Sequence, residues 1–433
     1  MSSAEAGRGR RLRTSTIATA AAFGTYFAMY GFRKPFTAAT FEGPDILGFD
    51  RKTLLVSAQV LGYTLSKFLG IAIVAAMPPL RRAASLLAFV AIAELALLGF
   101  AIAPEPWNIA FLFLNGLPLG MVFGLVLGFL EGRRHTEAMA AGLCASFILA
   151  GGAMKSVGTW LLELGVAEAW MPCLAGALFL VPLWGCVAIL RRIPAPDAED
   201  VEQRSARSPM SSGDRRAFFR RYGRGLVPLI AAYLLVTIVR GLRDDFAPEL
   251  WHQLGESAVP VLFTRSELLV AAGVLVLTGL AVVIRDNRRA FRAAMAIGIG
   301  GFALCGLMLL LQCFGHAPPF TFMVTMGLGL YLPYVAVHTT VFERLVAMTR
   351  DRGNIGYLMY LADSFGYLGY VVLMLGRSRI ASTGDGLLDS FLWTTGIVAT
   401  LGIACFATSW WWFAWRTRTG PNVGTATPPP ALT

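Results

Sequence analysis

The chain predicts an all-α integral membrane protein, with twelve transmembrane helices in two six-helix pseudo-repeats. Three observations lead there. Of 433 residues, 56% are hydrophobic and only 15% are charged, against roughly 25% charged in a soluble globular protein. Apolar stretches recur at the length, about 20 residues, that crosses ~30 Å of hydrocarbon. A single long polar connector divides these stretches six and six.

The spans fall near 15–41, 53–77, 83–103, 107–131, 137–162 and 169–190 in the first half. The second half repeats the plan near 225–246, 262–284, 291–313, 319–345, 354–376 and 388–415. Gly and Pro inside them are tolerated by membrane helices. With the N-terminus inside, 26 of the 37 Lys and Arg fall in connectors or termini on the cytoplasmic side and 5 in loops on the other. Without the long connector the ratio is still 17 to 5. This positive-inside bias places both termini in the cytoplasm. It also accounts for the formal charge of +11, which in a soluble protein would suggest nucleic acid; no nucleic-acid partner is expected here. Trp410, Trp411, Trp412 and Trp415 before Arg416 read as an interfacial belt at the inner face. The predicted organisation is a cytoplasmic N-terminus (1–14), a six-helix bundle (15–190), a cytoplasmic linker (191–224), a second bundle (225–415) and a disordered tail (416–433). The linker carries Pro194, Pro196, Asp197, Glu199, Asp200 and Glu202, then Ser/Arg-rich sequence, a composition that cannot bury a core. The location expected is the cell (inner, cytoplasmic) membrane, with the lipid bilayer as partner.

Enzymes find little support. The sequence holds no Walker A, HExxH or GxSxG pattern, and its four histidines are scattered. The six cysteines lie in apolar segments without a CxxC pair, as small buried residues rather than ligands or disulfides. No catalytic residue, metal site or cofactor is expected.

The halves echo one another. Arg33 in the first span has a counterpart 207 positions on, at Arg240 in the seventh. Gly116-Leu-Pro-Leu-Gly120 opens the fourth span, and Gly327-Leu-Gly-Leu-Tyr331 opens the tenth, 211 later. Glu131 with Arg133 closes the fourth span, and Glu343 with Arg344 closes the tenth; these four are candidates for gating at the inner face. The near-constant offset is the parallel-repeat plan of major facilitator transporters.

Charges inside the spans are few and mostly positive. Arg33, Lys67, Lys155 and Arg240 lie deep, against Glu94 and Asp363. A charge at the bilayer centre costs ~3 kcal/mol or more on insertion scales, so it faces protein or a water-filled cavity. A cavity with surplus positive charge calls for an anion, and the arginine fork suits phosphate or carboxylate. Arg33 and Arg240, one per half, are therefore candidates to clamp a small anionic substrate. The bland alternatives are snorkelling or a structural pair such as Arg240 with Asp244. For Lys34 and Arg243, nearer the outer end, the bland reading wins: snorkelling to the outer interface or a structural ion pair. Lys67 lies ~20 Å from the outer face and Asp363 ~15 Å from the inner one, so they could pair across the halves as a gate; Lys67 on the anion fits equally. Glu94 reads as a protonated or snorkelled residue of a peripheral helix. Lys155 follows Gly151-Gly152, glycines that suit close helix packing, and faces either the cavity or the interface. Tyr26, Tyr30 and Arg33 share a helix face, so both tyrosine hydroxyls are candidate ligands. For Tyr357, Tyr360, Tyr367 and Tyr370 packing is the default reading and cavity lining the alternative.

Three motifs resemble a known family. Tyr26-Phe-Ala-Met-Tyr-Gly-Phe-Arg-Lys-Pro-Phe36 resembles the first-helix motif of the organophosphate:phosphate antiporters of the major facilitator superfamily. Ser57-Ala-Gln-Val-Leu-Gly-Tyr63-Thr-Leu-Ser66-Lys67-Phe68 resembles their second helix, and Val239-Arg240-Gly-Leu-Arg-Asp-Asp245-Phe-Ala-Pro248 their seventh. The resemblance implies that Arg33 and Arg240 bind a phosphate group, with Lys67 close by, and that the protein is a monomer. It also places Ser146 where the family has a fifth-helix site histidine. Departures are visible: the end of the fourth span reads Gly124-Leu-Val-Leu-Gly128-Phe-Leu-Glu131-Gly-Arg133-Arg134, without the family's signature. This pattern is that of a divergent branch with a changed pocket. The function expected is secondary transport of a small organic anion by alternating access, with a phosphate ester exchanged for phosphate as what the resemblance implies. The alternatives are a non-transporting sensor of the same fold and a proton-coupled carboxylate or sugar transporter.

Overall fold

The computed structural model describes residues 3–74, 77–130, 136–194, 212–349, 355–380 and 386–419. The first half comprises α1 (Ser3–Met29), α2 (Arg51–Ile73), α3 (Pro79–Ile102), α4 (Asn108–Leu130), α5 (Thr136–Glu163) and α6 (Met171–Arg192). The second comprises α7 (Ser212–Asp245), α8 (Pro260–Val283), α9 (Asn287–Cys313), α10 (Pro319–Ala336), α11 (Ile355–Ile380) and α12 (Leu387–Thr419). A short helix, Ala247–Gln253, follows α7, and α10 continues through a π-helical stretch, Val337–Val341, into Phe342–Thr349. Ten of the described helices, α3 to α12, are long and apolar enough to cross a membrane. The two that fall short, α1 and α2, belong to the segments that carry the charged motifs. The protein is a multi-pass membrane protein of the major facilitator fold, a likeness set out below.

Several predicted boundaries shift. The first span, expected near 15–41, stops as α-helix at Met29 and goes on in two 3-10 turns, Tyr30–Phe32 and Pro35–Ala38. Pro35 is the cause, since its ring clashes with the preceding turn and it has no N–H to give. At the other end α7 starts at Ser212, inside the stretch expected as linker. Residues 195–211 of that linker and 420–433 of the tail lie outside the described residues.

The broken end of α1 leaves backbone carbonyls to be satisfied, and two buried amides do it. Asn115 on α4 donates from Nδ2 to the carbonyls of Phe32 and Ala93, both at 3.0 Å. Gln59 on α2 donates from Nε2 to the Arg33 carbonyl at 3.1 Å and to Asn115 Oδ1 at 2.8 Å. A four-helix brace thus fixes the backbone from which Arg33 projects.

Close crossings bring these helices within reach. A Cβ at Gly116 would lie 2.1 Å from the Gln59 carbonyl oxygen, where α4 meets α2. Between the halves, a Cβ at Gly152 on α5 would lie 2.3 Å from the Phe263 carbonyl oxygen on α8. Ser156, one turn on, meets Thr264 at 2.6 Å and donates to the Pro260 carbonyl. The reading of Gly151-Gly152 as a close-packing element matches this geometry.

Asn115→Ala should unseat the end of α1. Stranding buried carbonyls costs roughly 1–3 kcal/mol each, so the melting temperature of the detergent-purified protein should fall by several degrees. An unchanged melting temperature would show that the brace carries no stability.

Candidate functional site

A small cavity of about 10 Å³ lies between the halves, room for about one water. The first half lines it with Tyr26, Tyr30, Tyr63, Lys67, Phe123 and Phe147, and the second with Tyr334, His338, Asp363 and Tyr367. Tyr26 and Tyr30 stack edge to face at 5.5 Å, so the tyrosines that the sequence placed on one face do share a wall. Tyr63 and Tyr367 meet across the halves at 4.9 Å.

Arg33 and Arg240 sit immediately behind this aromatic wall, both buried. The Arg33 guanidinium lies 3.9 Å from the Tyr63 ring centre, with Tyr367 at 5.7 Å and Tyr30 at 5.8 Å. Arg240 lies over Tyr334 at 4.4 Å and Tyr331 at 5.6 Å, and its Nη2 donates to the Tyr367 hydroxyl at 3.4 Å. Tyr367 therefore touches both arginines. The Nε atoms of Arg33 and Arg240 are buried without a hydrogen-bond partner, and neither guanidinium has a carboxylate partner among the described residues.

Every other buried cation does have one. Lys67 pairs with Asp363 at 2.8 Å, forming across the halves the bridge whose depths matched in the sequence. Asp363 Oδ1 also accepts from the Tyr233 hydroxyl and lies 3.6 Å from His338 Nε2. Lys34 pairs with Asp244 at 2.5 Å and with Asp245. Lys155 pairs with Asp244 and donates to the Gly151 carbonyl at 3.1 Å. Lys52 pairs with Glu249 and donates to the Thr37 carbonyl at 2.9 Å. Arg243 pairs with Glu267 at 2.7 Å and donates to the Met323 carbonyl at 2.9 Å.

These contacts decide or correct several expectations. Lys34 and Arg243 form structural pairs rather than snorkelling to the interface, being 5% and 2% exposed. The 3-10 turns after Met29 carry Lys34 towards the opposite half, and Gly327 leaves room for Arg243, whose Nη2 would lie 2.6 Å from a Cβ there. Asp244 does not pair with Arg240, because Lys34 and Lys155 take it. Neither Lys155 nor Ser146 lines the central cavity. The Ser146 hydroxyl donates to the Leu143 carbonyl within its own helix at 2.6 Å. Glu94 is half-buried between α3 and α6, accepting from Cys173 Sγ at 3.5 Å. Arg344 donates to Asn287 Oδ1 at 2.7 Å, which ties α10 to α9 inside one half. Glu343 is described in the same helix, whereas Glu131 and Arg133 lie outside the described residues. Of the tyrosine stripe on α11, Tyr367 lines the cavity and Tyr370 donates to Asp245 at 2.9 Å.

Sequence reasoning missed His338. Its ring packs against Tyr233 and Tyr334, with centroids at 5.2 and 4.8 Å, and these two rings stack on each other at 5.0 Å; its Nδ1 is buried without a hydrogen bond. The π-helical stretch that carries it leaves no apolar-period signal, although single π turns often mark functional sites. A lone histidine in an apolar run looks the same whether it lines a cavity or fills a core.

The comparisons with known proteins agree on architecture. The model of a family of unknown function (DUF5690) matches residues 35–416. No curated protein matches the chain in sequence. Among solved structures, the human organic anion transporter MFSD10 (TETRAN) superposes with a TM-score of 0.55 at 14% identity, over 92% of this chain and 99% of that one. A D-xylose–proton symporter superposes with a TM-score of 0.60 at 14% identity, over 92% and 97%. At such identity the likeness fixes the fold and not the substrate.

Lys67→Ala and Asp363→Ala should each destabilise the protein, since removing one partner of a buried pair costs ~3–5 kcal/mol. The double variant should lose less than the sum. Additive losses in the melting temperature would show that the two charges are not coupled.

Proposed function

The chain belongs to DUF5690, a family of unknown function, and for it we propose secondary transport of a small organic anion by alternating access. One observation carries this reading: among the described residues, two buried guanidiniums, one from each half, lack the carboxylate that every other buried cation has. An unpaired buried charge is costly, and an anion held between Arg33 and Arg240 would match both. Tyrosine faces cover the guanidiniums by cation–π contact, a weaker partner that a phosphate or carboxylate could displace. A phosphate ester exchanged for phosphate is the substrate class the sequence motifs favour, and arginine forks suit its oxygens. One of the two solved structures is an organic anion transporter. The other is a D-xylose–proton symporter, so the fold serves both and it is the arginines that favour an anion.

The rocking of the halves follows from the same pairs. Lys34, Lys52 and Lys155 of the first half reach Asp244, Asp245 and Glu249 of the second. On the proposed topology this cluster closes the outer end, and opening outwards breaks it. Asp363 with His338 beside the cavity favours a second reading, in which a proton accompanies a carboxylate.

Reconstituted vesicles loaded with phosphate should take up radiolabelled phosphate esters, and Arg33→Ala or Arg240→Ala should reduce uptake at least about tenfold, the loss expected for one charge-assisted contact of 1.4 kcal/mol or more. Ligand binding without flux would identify a sensor. Wild-type affinity for every transported anion in either variant would remove the arginine clamp.

A further inference from the structure

A second, roomier pocket of about 150 Å³ opens at the end of the second bundle, where α9 begins and where α10 and α12 finish. Its floor is apolar: Phe291 and Phe413 pack edge to face at 5.6 Å, with Met348 beside them. Trp410 forms one wall, and Arg288 and Arg292 stand at the rim. These two arginines are one helical turn apart, so they share a face. Arg292 Nε donates to the Arg288 carbonyl at 3.3 Å, and neither arginine has a carboxylate partner among the described residues. The acid nearest in sequence, Asp286, is engaged in capping α9, where it accepts from the Arg289 backbone N–H at 2.7 Å.

We infer that this pocket holds the phosphodiester headgroup of an anionic phospholipid. Four features point to that occupant over a soluble anion. The pocket pairs two cationic forks with an apolar floor, which matches a phosphate joined to glycerol and acyl chain. One wall is Trp410, and Trp411 beside it is 68% exposed, an aromatic ring at the depth where headgroups lie. Its walls come from α9 and α12, whose apolar windows are only 39% and 33% buried within the protein, so bilayer surrounds them. It sits at the end of the bundle that carries most of the Lys and Arg, the cytoplasmic leaflet by the positive-inside rule, where basic pockets between helices bind anionic headgroups. The site is independent of the central arginines, and so of the transport reading.

The test uses the full-length protein purified in detergent. Mixed micelles containing phosphatidylglycerol should raise the melting temperature above that with phosphatidylcholine. Native mass spectrometry should find phosphatidylglycerol retained on the protein. Arg288→Gln with Arg292→Gln should lose most of the shift and retain at least about threefold less lipid. The control, Arg285→Gln with Arg289→Gln, removes the same charge from the same stretch outside the pocket and should keep both. Equal loss in the control would replace the pocket by a diffuse electrostatic effect. Equal stabilisation by phosphatidylcholine, or by soluble glycerol phosphate at matched concentration, would overturn the lipid assignment in the wild-type protein alone, whatever the folding of the variants.

Discussion

Charge matching in a low-dielectric interior organises this molecule. Burying an ion without a partner is far more costly than burying a paired one, and the bundle obeys this almost everywhere. Lys34, Lys52, Lys67, Lys155 and Arg243 each find a carboxylate. Four of those five pairs cross between the halves; only Arg243–Glu267 stays within one. The charges thus act as the specific contacts between two bundles whose apolar surfaces would otherwise slide past one another with little preference. Such pairs contribute little net stability when compared with apolar packing, but they fix which faces meet and at what depth.

The exception is set up by backbone, not by charge alone. Pro35 ends α1 early, and the brace of Asn115 and Gln59 then holds the freed carbonyls of Phe32 and Arg33. Adjacent residues leave this broken end for different surroundings: Arg33 stacks on Tyr63, while Lys34 reaches Asp244 and Asp245.

Much of this was legible from the sequence, because hydropathy and charge asymmetry are properties of segments. The six-plus-six plan, the matched arginines and the Lys67–Asp363 pair all follow from position along spans. Residues near span ends were not legible in the same way. Whether Lys34 and Arg243 snorkel or pair does not follow from depth along an ideal helix; the turns at Pro35 and the space left by Gly327 decide it in favour of pairing. Lys155 and Ser146 were placed by sequence neighbours and by resemblance, neither of which reports which way a side chain turns. His338 was invisible because its meaning comes from Tyr233, Tyr334 and Asp363, residues distant in the chain. Asn115 and Gln59 escaped for the same reason, since a buried amide becomes a brace only when a broken helix end lies beside it.

Cation–π contacts soften the burial of the two arginines that lack a carboxylate partner among the described residues. A desolvated guanidinium over an aromatic face recovers ~2 kcal/mol or more, enough to soften the burial cost but less than a carboxylate or phosphate would supply. Tyr63 and Tyr367, which meet across the halves, are the same rings that cover Arg33. On the transport reading, an anion that reaches the guanidiniums must displace these rings and thereby disturb a contact between the bundles. Substrate entry and the relative position of the halves would then be linked through one aromatic pair. Tyr367, touching Arg33 by its ring and Arg240 by its hydroxyl, is the residue through which both arginines would sense that change.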